Sequence, residues 1–171
     1  MKKQGDIILI IREPILESLK LCVQKAYPNE SFGLIFGSKP KEIPLKNPGE
    51  FQYYYIAEAF ECIKSDRSSP VDFLMENIEE LYRVINDANK KHDARVLSIF
   101  HSHPSGSYPS GFDINYMKFL DEFYHKVLIS PIPIKMPIKN QIWTIMDGSN
   151  FDINGFIYLE NEIQQIQLRI E

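Results

Sequence analysis

Residues 96–113 of the chain are VLSIFHSHPSGSYPSGFD, and this stretch determines which fold class the sequence predicts. It opens with five residues, four of them apolar, which is typical of a buried strand. Side chains alternate between the two faces of a strand, so His101 and His103 project to the same side. Pro104 stops the pairing of strands, and residues 105–107 turn the chain. The stretch therefore predicts two imidazoles on one side of a strand end.

A helix start follows this turn. Ser110 is well placed to cap the helix, and Asp113 stands three residues later, as in a capping box. Such a cap would hold Asp113 rigidly as a third metal ligand beside His101 and His103. Two histidines, one carboxylate and an open fourth position are the ligand set of a catalytic zinc. Taken singly, the histidines could be polar residues at a loop entry and Ser-x-x-Asp a plain helix cap, but their order and spacing favour a Zn²⁺ site.

Composition excludes several function classes. The chain has 171 residues, 44% hydrophobic and 25% charged, which predicts one soluble domain over residues 1–171. The net charge is −4 without a dense Lys/Arg cluster, so no nucleic-acid interface is expected. The apolar run at 7–11 is too short for a signal-peptide core or a membrane span, so no membrane association is expected.

The two cysteines, Cys22 and Cys62, are isolated and form no ligand pair. We interpret them as free, buried thiols, which predicts a reducing, cytoplasmic location. Any zinc must then be bound through histidine and aspartate.

Periodicity and turn residues predict one mixed α/β domain, with helices flanking a central β-sheet. Loops rich in proline are predicted at 38–50 and 131–140. Helices are predicted at 14–27, about 70–91 and about 111–122, and strands at 6–11, 32–37, 53–62, 95–101, 127–129, 141–146, 156–159 and 163–170.

Together with an upstream glutamate, the motif at 101–113 resembles that of the JAMM/MPN+ zinc metalloprotease family. Glu30 lies three residues before Gly33 of the strand Phe32-Gly33-Leu34-Ile35-Phe36-Gly37, which is where the family carries its glutamate. The resemblance covers about residues 7–146 and implies a cytidine-deaminase-like α/β fold. The sequence departs from the family in one respect, because the segment between His103 and Ser110 is one residue shorter than usual. The position of Ser110 relative to the metal is the detail that this shortening affects most.

The resemblance implies a zinc metallopeptidase, a deubiquitinase-like isopeptidase, with a role for each matching residue. His101, His103 and Asp113 would bind Zn²⁺, and water would be the fourth ligand. Glu30 would accept the proton of that water and pass it to the leaving lysine amine. Ser110 would donate a hydrogen bond to the developing oxyanion. The residues alone leave Glu30 as a solvated turn residue and Ser110 as a plain cap, and they indicate no further cofactor.

The resemblance leaves several functions open. The main hypothesis is removal of ubiquitin or a ubiquitin-like modifier from lysine of target proteins. The alternatives are a processing peptidase that trims the C-terminus of a ubiquitin-fold modifier or sulfur-carrier protein, and a non-catalytic MPN scaffold subunit. Whether a partner subunit is needed also stays open. Loops at 38–50, 60–69 and 131–140 are the expected specificity determinants.

Overall fold

The computed structural model of the protein describes residues 6–64, 78–129 and 141–171. Within these ranges a mixed nine-stranded sheet packs with three helices. The helices are α1 (Glu13–Ala26), α2 (Ile78–His92) and α3 (Gly111–Ile129). The strands are β1 (Ile7–Ile11), β2 (Phe32–Gly37), β3 (Lys41–Pro44), β4 (Phe51–Ile56), β5 (Ala59–Ile63), β6 (Arg95–His103), β7 (Ile142–Asp147), β8 (Ile153–Leu159) and β9 (Glu162–Ile170).

The strand order across the sheet is β3-β4-β1-β9-β8-β7-β6-β2-β5. β6 runs parallel to β7 and antiparallel to β2, and both of these neighbours are buried, mostly apolar strands. β4 and β5 are separated by only two residues in sequence but lie near opposite ends of the strand order. The sheet must therefore curl so that its two ends approach each other.

Alternation along the strands divides the core between the two faces of the sheet. On one face, Phe36 and Ile99 pack with buried residues of α2 and α3, including Leu81 and Leu120. On the other face, Ile35 and Phe100 pack with Leu19 and Val23 of α1. His101 is two residues after Ile99, so it faces the α2–α3 side, whereas Ser102 faces the α1 side. This alternation determines which residues can meet His101 and His103.

Two predictions about the first half of the sheet are wrong. The single strand predicted at 53–62 is two strands, because the chain changes partners at Ala57 and Glu58. The Ala57 amide donates to Ile10 O of β1, whereas the Glu58 amide donates to Phe36 O of β2. The loop predicted at 38–50 also contains a strand, β3, which pairs with β4 at the edge of the sheet. Its sequence is polar and contains a proline, so it did not indicate a strand.

The prediction for residues 127–129 is also wrong. The run Val127-Leu128-Ile129 was expected to be a strand, but it is the last turn of α3, which extends well beyond the predicted end at 122. The predicted start of α2 near residue 70 and the predicted loop at 131–140 lie outside the described residues. Among the helices described, none is long and apolar enough to cross a membrane.

The cysteines are not free thiols, which corrects a fourth prediction. Cys22 of α1 and Cys62 of β5 form a disulfide across 40 residues of sequence. The pairing was not visible in the sequence because it depends on α1 lying against β5. The cysteines consequently give no argument for a reducing compartment.

Candidate metal centre

The candidate metal ligands come from the end of β6 and the first turn of α3. His101 and His103 are on the same face of β6, as the alternation predicts, and Asp113 is in the first turn of the helix. All three are sheltered from solvent: His101 is fully buried, the Asp113 side chain is 5% exposed and that of His103 13%. The described residues contain one group of three or more His, Cys, Asp or Glu side chains able to share a metal ion, and it is this one.

The two imidazoles and the carboxylate form a compact group of three side chains, the donor triangle. His101 Nε2 is 3.2 Å from His103 Nε2, and the two Asp113 oxygens lie 3.1 Å from these nitrogens, Oδ1 from His101 and Oδ2 from His103. A tetrahedral zinc with ligand distances of about 2.0–2.1 Å would separate its ligand atoms by roughly 3.3 Å. The observed separations match this spacing, so the donor set fits a Zn²⁺ ion.

The charge states also suit a metal ion. Burial alone would raise the pKa of the Asp113 carboxyl, but hydrogen bonds with His101 and His103 outweigh burial and hold this pKa well below its ordinary value. Asp113 is therefore a carboxylate, the form that ligates metals. The pKa of His103 is raised, first by its hydrogen bond with Asp113, and in part by the charges of Glu30 and Asp147. Negative charge thus surrounds the donor triangle.

Ser110 and Asp113 form the capping box that the sequence predicts. The Ser110 amide donates to Asp113 Oδ2 at 2.6 Å, and the Asp113 amide donates to Ser110 Oγ at 3.2 Å. The box orients the Asp113 carboxylate toward the histidines. The capping box also holds Ser110 beside Asp113, although the segment between His103 and Ser110 is one residue shorter than is usual in the family. Ser110 is exposed at the edge of the site.

The segment that carries Glu30 is attached to β6 through the residue that follows Glu30. Its neighbour Ser31 is buried and bonds to Ser102, the residue between the two histidines, on the opposite strand face. The Ser31 amide donates to Ser102 Oγ at 2.9 Å, the two hydroxyls are 2.8 Å apart, and the Ser102 amide donates to Ser31 O at 3.2 Å. Ser102 therefore anchors the segment that bears Glu30. Glu30 itself lines a cleft of about 340 Å³.

The segment between His103 and Ser110 is held by residues that the sequence analysis missed. Asp147, at the end of β7, accepts a hydrogen bond of 2.6 Å from the Gly106 amide. Asn154 of β8 donates to Ser107 Oγ at 2.8 Å. The Asp147-Gly148 pair at the end of an apolar run was the sequence feature that could have indicated a role for Asp147. The sequence did not show that this strand neighbours β6, in register at His103 and Asp147.

We expect Asp147→Asn to lower the melting temperature at neutral pH by roughly 2–4 °C. Hydrogen bonds from the Ser149 hydroxyl and the Gly106 and Ser149 amides lower the pKa of Asp147. The stability due to its ionised form is present above the unfolded pKa of about 3.9 and is lost as the pH falls through the folded value. The difference in melting temperature between parent and variant should therefore become smaller as the pH is lowered.

Thermal melts of both proteins between pH 7 and pH 3 measure this difference. Asp87→Asn, which changes an exposed aspartate of α2 near Arg83, is the matched control and should show little effect. A difference between parent and Asp147→Asn that stays constant across this range would contradict the assignment.

Comparison with known proteins shows the family of the chain. The pattern of the family described as prokaryotic homologs of the JAB domain (Prok-JAB) matches residues 13–145. This match runs from the start of α1 into β7 and includes all five predicted site residues. The chain belongs to this family, which confirms the predicted JAMM/MPN relationship. No curated protein matches it.

Solved structures support the fold. Protein DSY2949 from Desulfitobacterium hafniense is 18% identical, with a TM-score of 0.61 over 96% of this chain and 92% of its own. The JAB1/MPN domain protein AF2198 from Archaeoglobus fulgidus is 14% identical, with a TM-score of 0.50 over 94% of this chain and 96% of its own. At these identities the likeness concerns the fold, which is the predicted mixed α/β fold of JAB/MPN domains.

Proposed function

We propose that the protein is a zinc-dependent isopeptidase that removes ubiquitin or a ubiquitin-like modifier from lysine side chains. The observation that carries the proposal is the donor triangle of His101, His103 and Asp113, whose nitrogen and oxygen atoms approach one another to 3.1–3.2 Å. Three protein ligands with an open fourth position are typical of a catalytic zinc rather than a structural one. Membership of the JAB family supports a peptidase, because the chain carries every residue that its resemblance to the JAMM motif requires.

Each of these residues has a role in hydrolysis. His101, His103 and Asp113 would hold Zn²⁺, which supplies a water of pKa about 7 and a positive charge beside the scissile carbonyl. Glu30 accepts the proton of the attacking water and transfers it to the leaving lysine amine. Ser110 donates a hydrogen bond to the carbonyl oxygen as negative charge develops on it.

The surroundings of the site support a protein substrate. Tyr108 and Phe112 lie two residues before and after Ser110, and these residues are 61% and 65% exposed. Exposed aromatic side chains beside a catalytic site are suited to contacts with a protein partner. Glycine residues allow a peptide backbone to approach a metal closely. We therefore expect cleavage directly after the Gly-Gly end of the modifier.

The test is to incubate the zinc-loaded protein with lysine-linked conjugates and with linear modifier precursors, and to identify the products by mass spectrometry. A single cut after Gly-Gly in the conjugates is the expected result. Cuts in the linear precursors alone would favour the processing peptidase instead. Scattered internal cuts would indicate a general protease, and the lack of any cut, with or without candidate partner subunits, would favour the scaffold.

Ser110→Gly should lower kcat by about 10²–10³-fold, because it removes one hydrogen-bond donor to the oxyanion. Glycine is nearly as good a helix cap as serine, so stability should change by only a few tenths of a kcal/mol. Ser110→Ala should lose the same activity and about 1 kcal/mol of stability as well. Steady-state kinetics and chemical denaturation of both variants separate the two roles. If Ser110→Gly is as active as the parent, Ser110 is a cap and no more.

A further inference from the structure

The disulfide between Cys22 and Cys62 borders the cleft that Glu30 lines. Both cysteines, Glu30 and Ser31 contribute to the walls of this space of about 340 Å³. The segment that carries Glu30 runs from α1, which contains Cys22, to β2, which pairs with the strand of Cys62 at Gly33. The disulfide thus joins α1 to β5, the strand that pairs with β2, and Glu30 lies in the connection between α1 and β2.

The two cysteines differ in exposure. Cys22 of α1 is 2% exposed, whereas Cys62 of β5 is an exposed residue. Exchange of a disulfide requires a thiolate to reach one sulfur while the other departs. Cys62 is the exposed residue of the pair, so attack is expected at its sulfur, with Cys22 as the leaving group. Once released, Cys22 lies 3.8 Å from Phe32 O, which can accept its S–H hydrogen bond.

The charge of the cleft selects among incoming thiols. Lys25 of α1 and Lys64, directly after β5, both line it, and Glu30 is the acidic residue among its lining side chains. Two ammonium groups against one carboxylate leave a net positive wall, which attracts an anionic thiol and stabilises its thiolate. The size of the cleft suits a short peptide-like thiol rather than a protein.

We propose that Cys62 is a site of reversible modification by small acidic thiols. The incoming thiolate forms a new S–S bond with Cys62 Sγ, and the bond between Cys62 and Cys22 breaks. Cys22 leaves with the electron pair and takes up the proton that the incoming thiol gave up. One disulfide replaces another, so no external oxidant or reductant is consumed. Attack of Cys22 on the mixed disulfide reverses the reaction and releases the thiol.

This modification regulates the candidate active site, an effect that rests on the proposed function of Glu30 as the base. An adduct on Cys62 occupies the cleft beside the Glu30 carboxylate. It also removes the covalent link between α1 and β5 that spans the Glu30 segment. Both effects should impair proton transfer at Glu30 while leaving His101, His103 and Asp113, none of which lines the cleft, able to bind metal.

The chemistry is tested with glutathione, an acidic thiol, and cysteamine, a cationic one. The zinc-loaded protein is incubated with each thiol, quenched by alkylation and digested for mass spectrometry. We expect the adduct on Cys62 and an alkylated Cys22. The rate of each thiol is divided by its rate with a small unstructured disulfide. This normalised rate should be about fivefold higher for glutathione than for cysteamine. Two free thiols before any treatment, or an adduct on Cys22, would overturn the proposal.

Lysine variants test the selection by charge. A Lys25→Gln, Lys64→Gln double variant should lose the preference for glutathione. Lys20→Gln, which changes another lysine of α1 that pairs with Glu17 outside the cleft, should keep it. A preference that survives in the double variant would contradict the role assigned to the cleft.

The regulatory effect is tested with a variant in which the modification of Cys62 cannot be reversed. In a Cys22→Ser variant the adduct on Cys62 is trapped, because the resolving thiol is absent, and Cys22→Ala serves if serine is not tolerated. Modification of this variant with oxidised glutathione should lower hydrolysis at least tenfold, with zinc content and circular dichroism unchanged. A Cys62→Ser variant should not respond to the same treatment. Full activity of the trapped adduct would overturn the regulatory effect.

These measurements separate the inference from the proposed function. If the Cys62 adduct forms with the expected charge preference but no form of the protein hydrolyses a conjugate, the proposed function fails and the modification site stands. If the protein is active but its disulfide does not exchange, the inference fails and the proposed function stands.

Discussion

Replacement of both His101 and His103 by alanine should lower the zinc content from about one ion per chain to none and abolish hydrolysis. The two Nε2 atoms are 3.2 Å apart and supply two of the three donors. A lone carboxylate, Asp113, cannot hold zinc in competition with water and buffer. Metal analysis of the purified proteins measures the stoichiometry directly, without reference to any substrate.

Thermal stability gives a second measurement of the same site. Zinc at about 100 times its dissociation constant would stabilise the folded parent by about 2.7 kcal/mol. In a chain of this size that corresponds to a rise in melting temperature of roughly 5–10 °C. The double variant should show no such rise.

His92→Ala is the matched control for these experiments. His92 bonds to Glu61 at 2.7 Å and stacks on Phe36, on a part of α2 and β5 distant from the donor triangle. This variant should keep one zinc per chain and the response of its melting temperature to zinc. An unchanged zinc content in the His101→Ala, His103→Ala protein would show that the metal binds elsewhere.

Glu30→Gln should keep the fold and the zinc but lose activity by about 10²–10⁴-fold. The amide is close to the carboxylate in shape but cannot accept a proton from water at neutral pH. The hydrogen bonds that hold the segment in place come from Ser31 and Ser102, so they should survive the change. Because the chemical step is affected rather than binding, kcat should fall while KM changes little.

Steady-state kinetics on a lysine-linked conjugate, with zinc content measured in parallel, test this prediction. Glu162→Gln makes the same chemical change at an exposed position at the start of β9 and should be as active as the parent. Parent-like rates for Glu30→Gln would show that Glu30 is not the base. A loss of zinc along with activity would instead assign Glu30 a role in holding the site together.

The errors in the fold prediction arose where partners are distant in sequence. The run Val127-Leu128-Ile129 has high β propensity, but it continues a helix that starts at a strong cap, and tertiary context outweighed propensity. The sequence at 53–62 contains no residue that would end a strand. The predicted strand breaks because Ile10 O and Phe36 O, on two different strands, accept the hydrogen bonds of adjacent amides.

What the sequence determined by itself is local. Alternation along β6 puts His101 and His103 on one side, and the three-residue spacing of Ser110 and Asp113 forms a capping box whatever the rest of the chain does. These geometries depend on bonds and turns within a few residues, so a short stretch is enough to specify them. The family pattern added Glu30, whose role as a base remains a prediction.

Only the tertiary structure decided which distant segments meet this site. The Ser31–Ser102 contact joins residues 71 positions apart, and the Asp147–Gly106 contact joins residues 41 positions apart. The disulfide between Cys22 and Cys62 likewise required α1 to lie against β5. Such contacts depend on strand order and register across the whole sheet, which arise from the balance of many weak packing interactions rather than from any one motif. For this reason the cluster of candidate metal ligands could be predicted from residues 96–113, whereas the residues that anchor and border it could not.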